Sequence, residues 1–440
     1  MWWQTKPQTV VNIEFKQKQW MRIAIATQVM GMHGALAFRN SLLLLYMLML
    51  GLSQTRVIAY LAILGIGNII RIPVAYFSDR LGKKRFGTLG NILCMGGFIF
   101  IACSGFSANL VIRESFVLIG IIVFSCGDAL FGAAWFPILR PIVPHEIRGR
   151  FFGKIRISWQ LAGLVFSGIA AWFLGRQGNV AVYQVIMGTI ALLLIMRSFF
   201  YNYLPELEKS ENNQQEPFLG VLGKLLRQNG YAAFAAYIFL LMIFTSNTPN
   251  IFFMVEREVM SISAETVVWL ANIGLVGALI GYYVGGYAVD RFSTKPVFLI
   301  CHFGYAALSF LFLVRDISPA LTMPLLGVCH FVFGFVYAAS SIAITTEIIA
   351  LMPKFNQALG NAILTTMLFL GIGCSNLLCA TIIELDFIKR NWTLFGGEMS
   401  NYDAILLGNG IMITLLIVAL GLVPSIIRKV KELPESKFTP

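Results

Sequence analysis

Apolar runs long enough to cross a bilayer recur along this chain, and that recurrence constrains its fold more than any other feature. Positions 42–50, 118–136 and 406–423, with their flanks, suit the ~30 Å of hydrocarbon that a helix of about 20 residues spans. Hydrophobic residues make up 58% of the 440 positions and charged residues 12%, against about 25% charged in a soluble domain. A water-soluble fold of this size could not hide so much apolar surface. Hydrocarbon offers no hydrogen bonds, so the backbone must be satisfied within each run, and runs this long fit helices rather than barrel strands. The expected fold class is an all-α, multi-pass membrane protein.

Charged clusters, Gly/Pro turns and run length divide the chain into twelve transmembrane helices, at 21–50, 55–77, 86–106, 115–138, 153–175, 179–202, 231–254, 265–288, 295–314, 319–345, 357–383 and 404–426. Twenty-three of the 33 Lys and Arg residues fall in one set of alternate loops and adjoining span ends, and seven in the other. By the positive-inside rule both termini are expected in the cytoplasm, in an inner or plasma membrane. The same distribution accounts for the net charge of +12 without a basic patch on a soluble domain, so no nucleic-acid partner is expected. The partners implied are membrane lipid and a small-molecule solute, with the chain working as a monomer. The seven cysteines all lie in apolar runs with no CxxC spacing, which predicts buried thiols, no disulfides and no metal. The polar start of the chain, ending in Trp20, reads as an amphipathic lead-in with an interfacial anchor.

The only long polar stretch follows span 6, and its composition is that of a linker. Its second part, from Phe218 to Arg227, is amphipathic and suits the inner membrane surface. Three parts follow: an N-terminal six-helix bundle over 1–203, a linker with an amphipathic helix over 204–230, and a C-terminal six-helix bundle with a short tail over 231–440. The halves repeat each other. After span 2 the chain reads Ala75-Tyr-Phe-Ser-Asp79-Arg80-Leu-Gly82-Lys83-Lys84-Arg85, and after span 8 it reads Gly286-Tyr-Ala-Val-Asp290-Arg291-Phe-Ser-Thr-Lys295, an offset of 211. Asn40 and Ser53 recur as Asn250 and Ser263 at 210, and Gly127 and Arg140 align with Gly334 and Glu347 at 207. Such internal repeats are the usual build of secondary transporters, with the substrate site between the halves near the bilayer midplane.

The Asp-Arg-x-Gly-Lys-Lys turn and its copy resemble the motif of the major facilitator superfamily, and the likeness extends over nearly the whole chain. Asp79, Arg80, Gly82, Lys83 and Lys84 match, with Ala75 where the family has its leading Gly. Gly286, Asp290, Arg291 and Lys295 match in the second copy, with Ser293 where the inner Gly would stand. The resemblance implies two pseudo-symmetric six-helix bundles and a latch at Asp79 and Asp290 that stabilises the outward-open state. Arg140 and Glu347, at equivalent inner ends of spans 4 and 10, are the expected partners of that latch. A carboxylate and a nearby Arg or Lys form charge-assisted hydrogen bonds that hold two helices in one conformation and release them in another.

Polar groups inside the spans are the candidates for selectivity, because an ionisable group at mid-bilayer costs ~2.5–3.5 kcal/mol and faces a partner or a wet cavity. Arg39 lies about 19 residues beyond Trp20, or ~28 Å of helix, in a span that lines the cavity in the resembled family. Gln28 shares its face, and His33 and Asn40 share another. Asp128 is expected at a similar depth, as the acid that neutralises Arg39 and couples transport to protons. Arg71, with Asn68 on the same face, is close enough to the inner rim to snorkel. The second half supplies Asn250, Tyr282 and Tyr337, while His302 and His330 read as packed core histidines.

No Walker loop, redox-cofactor motif, nucleophile elbow or paired catalytic carboxylates occur in the sequence. The expectation is therefore no enzyme and no cofactor, with energy drawn from an ion gradient, expected to be H+. The expected activity is alternating-access transport of a small organic solute, tilted toward anionic or zwitterionic by Arg39. Efflux of amphipathic drugs is the alternative within transport, disfavoured because span 5 carries glycines but lacks the Gly-Pro of many drug antiporters of the resembled family. A non-transporting receptor is the alternative from another class, disfavoured by the absence of a sizeable soluble domain.

Overall fold

The computed structural model describes residues 8–39, 41–144, 148–176, 178–207, 218–228, 230–315, 318–351, 357–385, 392–394 and 397–422. The first half runs α1 (Gln8–Ala37), α2 (Leu42–Met49), α3 (Gln54–Gly67), a 3-10 turn (Asn68–Ile70), α4 (Arg71–Leu81), α5 (Lys83–Cys103), α6 (Leu110–Leu139), α7 (Arg148–Arg176) and α8 (Val180–Asn202). The linker helix α9 (Phe218–Arg227) follows. The second half runs α10 (Tyr231–Thr245), α11 (Thr248–Met254), a π-helical turn (Val255–Val259), α12 (Ala264–Phe292), α13 (Thr294–Phe312), α14 (Pro319–Leu351), α15 (Gln357–Glu384) and α16 (Asn401–Leu422). A two-stranded hairpin, β1 (Trp392–Leu394) with β2 (Gly397–Met399), precedes the last helix. Polar caps start the long helices: Asn109 accepts from the amide of Val111 at 2.9 Å before α6, and Asn179 accepts from Val182 at 3.1 Å before α8, satisfying donors that the first turn leaves open.

Eleven helices among the described residues are long and apolar enough to span a membrane. The twelfth expected span, at 21–50, is where the structure departs from the sequence-based picture. It is two helices, α1 and α2, separated at 38–41, and α1 carries Arg22, Gln28 and His33, so no single continuous helix there reaches that length and hydropathy. Packing of α1 on α7 and α8 nonetheless places it within the first half. Span 7 runs over Tyr231–Val259 as one span, but its helix is interrupted by a turn near the corresponding place, at Ser246 and Asn247 between α10 and α11. The 10-residue segment 208–217 of the expected linker and the tail beyond 422 lie outside the described residues.

The repeat is structural down to its turns. Ser53 accepts from the amide of Arg56 before α3, and Ser263 accepts from Thr266 before α12. Gly51 (φ 94°) and Ser261 (φ 55°), two residues upstream of each cap, both have positive φ. Gly82 (φ 101°) and Ser293 (φ 69°) match likewise, each joining two helices after the Asp-Arg pair. Ser293, with ψ 174°, sits in a region almost confined to glycine, at a cost of order 1–3 kcal/mol. The same helix pairs also pack within each half: spans 1, 3 and 6 in the first correspond to 7, 9 and 12 in the second.

Two seams join the halves, α3 and α4 against α15, and α7 against α12. At the first seam the backbones touch. A Cβ on Gly65 would lie 2.4 Å from both the amide nitrogen of Gly373 and the carbonyl oxygen of Phe369, so only glycine fits. A second buried feature was not foreseen. Arg315, expected in an outer loop, is 2% exposed and makes a two-pronged bond with fully buried Asp403, at 2.5 and 3.1 Å, tying the end of α13 to the start of α16.

Two stability outcomes follow. Ser293→Gly should raise the unfolding midpoint of the detergent-solubilised protein, by relief of about 1 kcal/mol or more, measured by differential scanning fluorimetry. Asp403→Ala should lower it, through a loss of about 3–5 kcal/mol of stability, because it strands a buried guanidinium.

Candidate functional site

The two seams enclose a central cavity of about 150 Å³ lined by both halves. Each interrupted helix turns its break toward it: Phe38 and Arg39 from span 1, and Ser246, Pro249 and Asn250 from span 7. Backbone breaks at membrane depth are tolerated where they are buried in protein or line a wet cavity. Aromatic walls come from Trp159, Phe253, Phe333 and Phe369, and polar atoms from Gln160, Asn250, Tyr282, His330, Tyr337 and Asn376. A larger groove of about 780 Å³, on the outside of the α7–α12 seam, is lined mainly by apolar side chains; the ionisable groups gather at the central cavity.

Arg39 is exposed to this cavity, and its guanidinium stands 5.6 Å from the centre of the Tyr337 ring in the opposite half. Arg156 repeats the arrangement, 5.6 Å from the Tyr282 ring, and donates to Thr345 Oγ1 at 3.1 Å. Both cations therefore come from the first half and both aromatic faces from the second. The charges of Arg39 and Arg156 both act on Tyr282, so the two guanidiniums share one neighbourhood. Neither pairs with a carboxylate among the described residues.

The expected Arg39–Asp128 pair does not form in the structure. Asp128 lies 3.8 Å from Arg71, inside the first half and away from the cavity lining. Arg71 is buried rather than snorkelling to the rim: it stands between Asp128 and the ring of Phe369, 4.9 Å away. Asn250, Tyr282 and Tyr337 line the cavity as expected, with Asn250 donating to Asn376 at 2.9 Å. Gln28, His33 and Asn68 do not line it. Gln28 turns to Met32, buried His33 packs edge-on to Phe166, and buried Asn68 bonds its own helix at Leu64. Asn40 lies outside the described residues, as do the side chains of Asp79 and Arg80.

Three ionisable groups were missed. His330, expected as a packed core residue, lines the cavity and lies 2.6 Å from Glu256 Oε1. Glu256 itself, assigned to an outer loop because the run Glu256-Arg257-Glu258 is charged, is fully buried in the π-helical turn. Arg156 was counted with the basic segment after span 4 and the adjoining end of span 5; eight residues into α7, it stands instead over the Tyr282 ring.

Contacts between the halves stand on both sides of the cavity. On the face carrying the 1–2 and 7–8 turns, Gln54 donates to Glu258 at 2.9 Å and accepts from the Tyr402 hydroxyl. Toward the opposite face, where the Asp-Arg motifs lie, Arg156–Thr345 bridges α7 and α14. The motif residues are tied within their own halves. Glu206 accepts from the amides of Lys83 and Lys84 at 2.8 and 3.3 Å, and Lys84 Nζ donates to the Asn202 carbonyl at 2.7 Å, placing a carboxylate on the N-terminus of α5. Glu347, expected to partner the latch, instead accepts from Thr294 at 2.8 Å, a polar clasp at the start of α13. Arg291 donates to Tyr287, while Asp290 and Arg140 are exposed.

The Major Facilitator Superfamily model matches residues 40–375. The chain belongs to that family, one of transporters and not of enzymes. No curated protein matches it in sequence. Among solved structures it is similar to the nucleoside transporter NupG, at 15% identity over 92% of this chain and 98% of that one, with a TM-score of 0.64. A D-xylose–proton symporter gives 14% identity over 92% and 98%, with a TM-score of 0.71. A POT family transporter in complex with 5-aminolevulinic acid gives 13% over 93% and 96%, with a TM-score of 0.69. At these identities the likeness establishes the fold.

The Gly65–Gly373 crossing forms one wall of the cavity, so Gly65→Leu should hold the halves apart. A cysteine at Ser246 should then react faster with a water-soluble maleimide than in the Gly65 protein; equal rates would mean that the crossing does not close the site.

Proposed function

We propose that this protein moves a small organic anion, or the anionic end of a zwitterion, across the membrane by rocking its two halves about the central cavity. The observation that carries this is the pair of guanidiniums, Arg39 and Arg156, held over Tyr337 and Tyr282 with no carboxylate on either among the described residues. A cation over an aromatic face gains about 0.5–2 kcal/mol. A charge-assisted hydrogen bond contributes about 1.5–3 kcal/mol, and a guanidinium accepts a carboxylate or phosphate with two such bonds. An entering anion therefore displaces the tyrosine faces from the cations, while a neutral solute lacks the energy to do so.

Because the cations belong to one half and the tyrosines to the other, the same exchange weakens a contact between halves. Solute binding is thereby linked to the opening of one face against the other. The Gln54–Glu258 contact and the Arg156–Thr345 contact then serve as alternate closures on the two faces. The Asp79 and Asp290 turns act at the rim, where Gly82 and Ser293 give each the same tight bend. We place that rim in the cytoplasm with both termini, following the excess of Lys and Arg on that side. An ion gradient supplies the energy. The likeness to a D-xylose–proton symporter supports protons as the ion.

Purified protein in proteoliposomes should exchange a labelled anion or zwitterion, tested with lactate, inorganic phosphate and 5-aminolevulinic acid beside uridine and xylose as neutral solutes. Arg39→Ala and Arg156→Ala should each weaken binding of the exchanged anion by about thirtyfold or more, the equivalent of about 2 kcal/mol for the loss of charge-assisted hydrogen bonds to it. Arg39→Lys should recover only part of it, since an ammonium lacks the planar fork. Exchange of uridine or xylose alone, unaffected by either substitution, would contradict an anion site.

A further inference from the structure

We propose that the buried Glu256–His330 pair binds the coupling proton, an inference that rests on the transport function proposed above. Glu256 Oε1 lies 2.6 Å from His330 Nε2, with the carboxylate fully buried. Its second oxygen, Oε2, has no hydrogen-bond partner among the described residues. A fully satisfied structural ion pair would use both oxygens, as Asp403 does with Arg315 and Ser400. An orphaned carboxylate oxygen in a low-dielectric site is costly when charged and far less so when it carries a proton.

The setting fits a group that titrates during a cycle. Glu256 lies on a π-helical turn, a local distortion found at functional sites more often than in plain structural helices. Its partner His330 lines the solute cavity together with Arg39, which gives the pair a path to water. Phe252 and Phe253 face the imidazole, each with its ring centre 5.5 Å away, and fix its orientation. The pair lies between the solute site and the closure at Glu258–Gln54, since Glu258 is two residues further along the same turn.

The surrounding charges define what the proton does. On the π-helical turn, Arg257 bonds the Ile262 carbonyl and Glu258 bonds Gln54. Cys329 adjoins His330 on α14 and feels the Glu256 charge. On α13 and α16, Arg315 and Asp403 neutralise each other. On α12, Glu265 lies against Gly175 of α7 and Tyr282 lines the cavity beneath Arg156; Asp290 and Arg291 stand at the far end of the helix. Arg39 is thus the cation that lines the cavity with the pair, and Arg156 stands over the cavity-lining Tyr282 ring. With a neutral imidazole the pair has a charge of −1, which offsets Arg39 and repels an entering anion. One proton from water on the open face makes the pair neutral, shared between His330 and Glu256, and leaves Arg39 free to attract the anion. Proton and anion then bind cooperatively, each raising the affinity of the other by the same factor, and the loaded carrier crosses with both.

The test uses the full-length protein in vesicles on a solid-supported membrane, with a pH step and no solute, so that the proton itself is the probe. The wild type should give a transient charge displacement. Glu256→Gln should abolish it, Glu256→Asp should restore it with a moved pH midpoint, and Asp128→Asn should leave it intact. His330→Asn, a second route should the Glu256 variants not fold, should abolish the displacement or move its midpoint. No displacement in the wild type, an unchanged one in Glu256→Gln or His330→Asn, or its loss in Asp128→Asn would overturn the proposal. Failure of the transport reading is distinguishable: the wild type would then exchange none of the five solutes named above, whatever the pH step gives.

Discussion

A charge placed in hydrocarbon must find its counterpart inside the protein, and the way this chain meets that demand organises the rest of it. Asp128 answers Arg71 within the first half, and Asp403 answers Arg315 within the second. Arg197, also buried, stands 3.4 Å from the centre of the Phe131 ring, with Asp128 acting on it through space. Their charged partners lie within their own bundles, although Arg71 also meets the Phe369 ring of the other half. Arg39 and Arg156 are left at the interface, facing tyrosine rings that belong to the other half. Structural charges are thus separated from available ones by where their partners sit: within a half, or across the cavity.

The same division explains how a rigid fold can move. Each half holds its own ion pairs, so rocking one against the other breaks none of them, while apolar packing runs through both halves. The specific contacts that join the halves are weaker or purely steric: glycine backbones at Gly65 and Gly373, single hydrogen bonds such as Gln54–Glu258 and Arg156–Thr345, and three cation–aromatic contacts. Each is within the few kcal/mol that a bound solute supplies. The motif turns add a fixed geometry at the rim. Gly82 adopts its bend at no steric cost, whereas Ser293 is strained, so the two rims are alike in shape and unequal in energy.

Much of this was legible in the sequence, because duplication is written as residue types at constant offset. The Asp-Arg turns, the Ser53 and Ser263 caps and the two halves could be read directly, and Arg39 stood out as a charge in the middle of an apolar run. What could not be read was pairing. Asp128 was matched to Arg39 by depth along the span, yet helix rotation and packing bring it to Arg71. Arg156 was hidden because distance from a basic loop, in residues, does not tell which side chains point inward. Glu256 was hidden by its company, since a charged triplet after an apolar run reads as the end of a span; the π-helical turn instead carries the helix on and buries the acid. The breaks in spans 1 and 7 did leave a trace, in Asn40-Ser41 and Asn247-Thr-Pro249-Asn250, polar and Pro-bearing segments at equivalent positions of the repeat.

The central claim is that two preformed halves alternate about the Arg39–Arg156 cavity. Spin labels on the exposed positions Val111 and Leu321 would report the face of the 1–2 and 7–8 turns, and labels on Leu89 and Ile300 the motif face. Pulsed electron–electron distances in nanodiscs should change in opposite senses when an anion that the protein exchanges is added, one pair lengthening as the other shortens. Distances that stay fixed on both faces, or that lengthen on both together, would contradict the account.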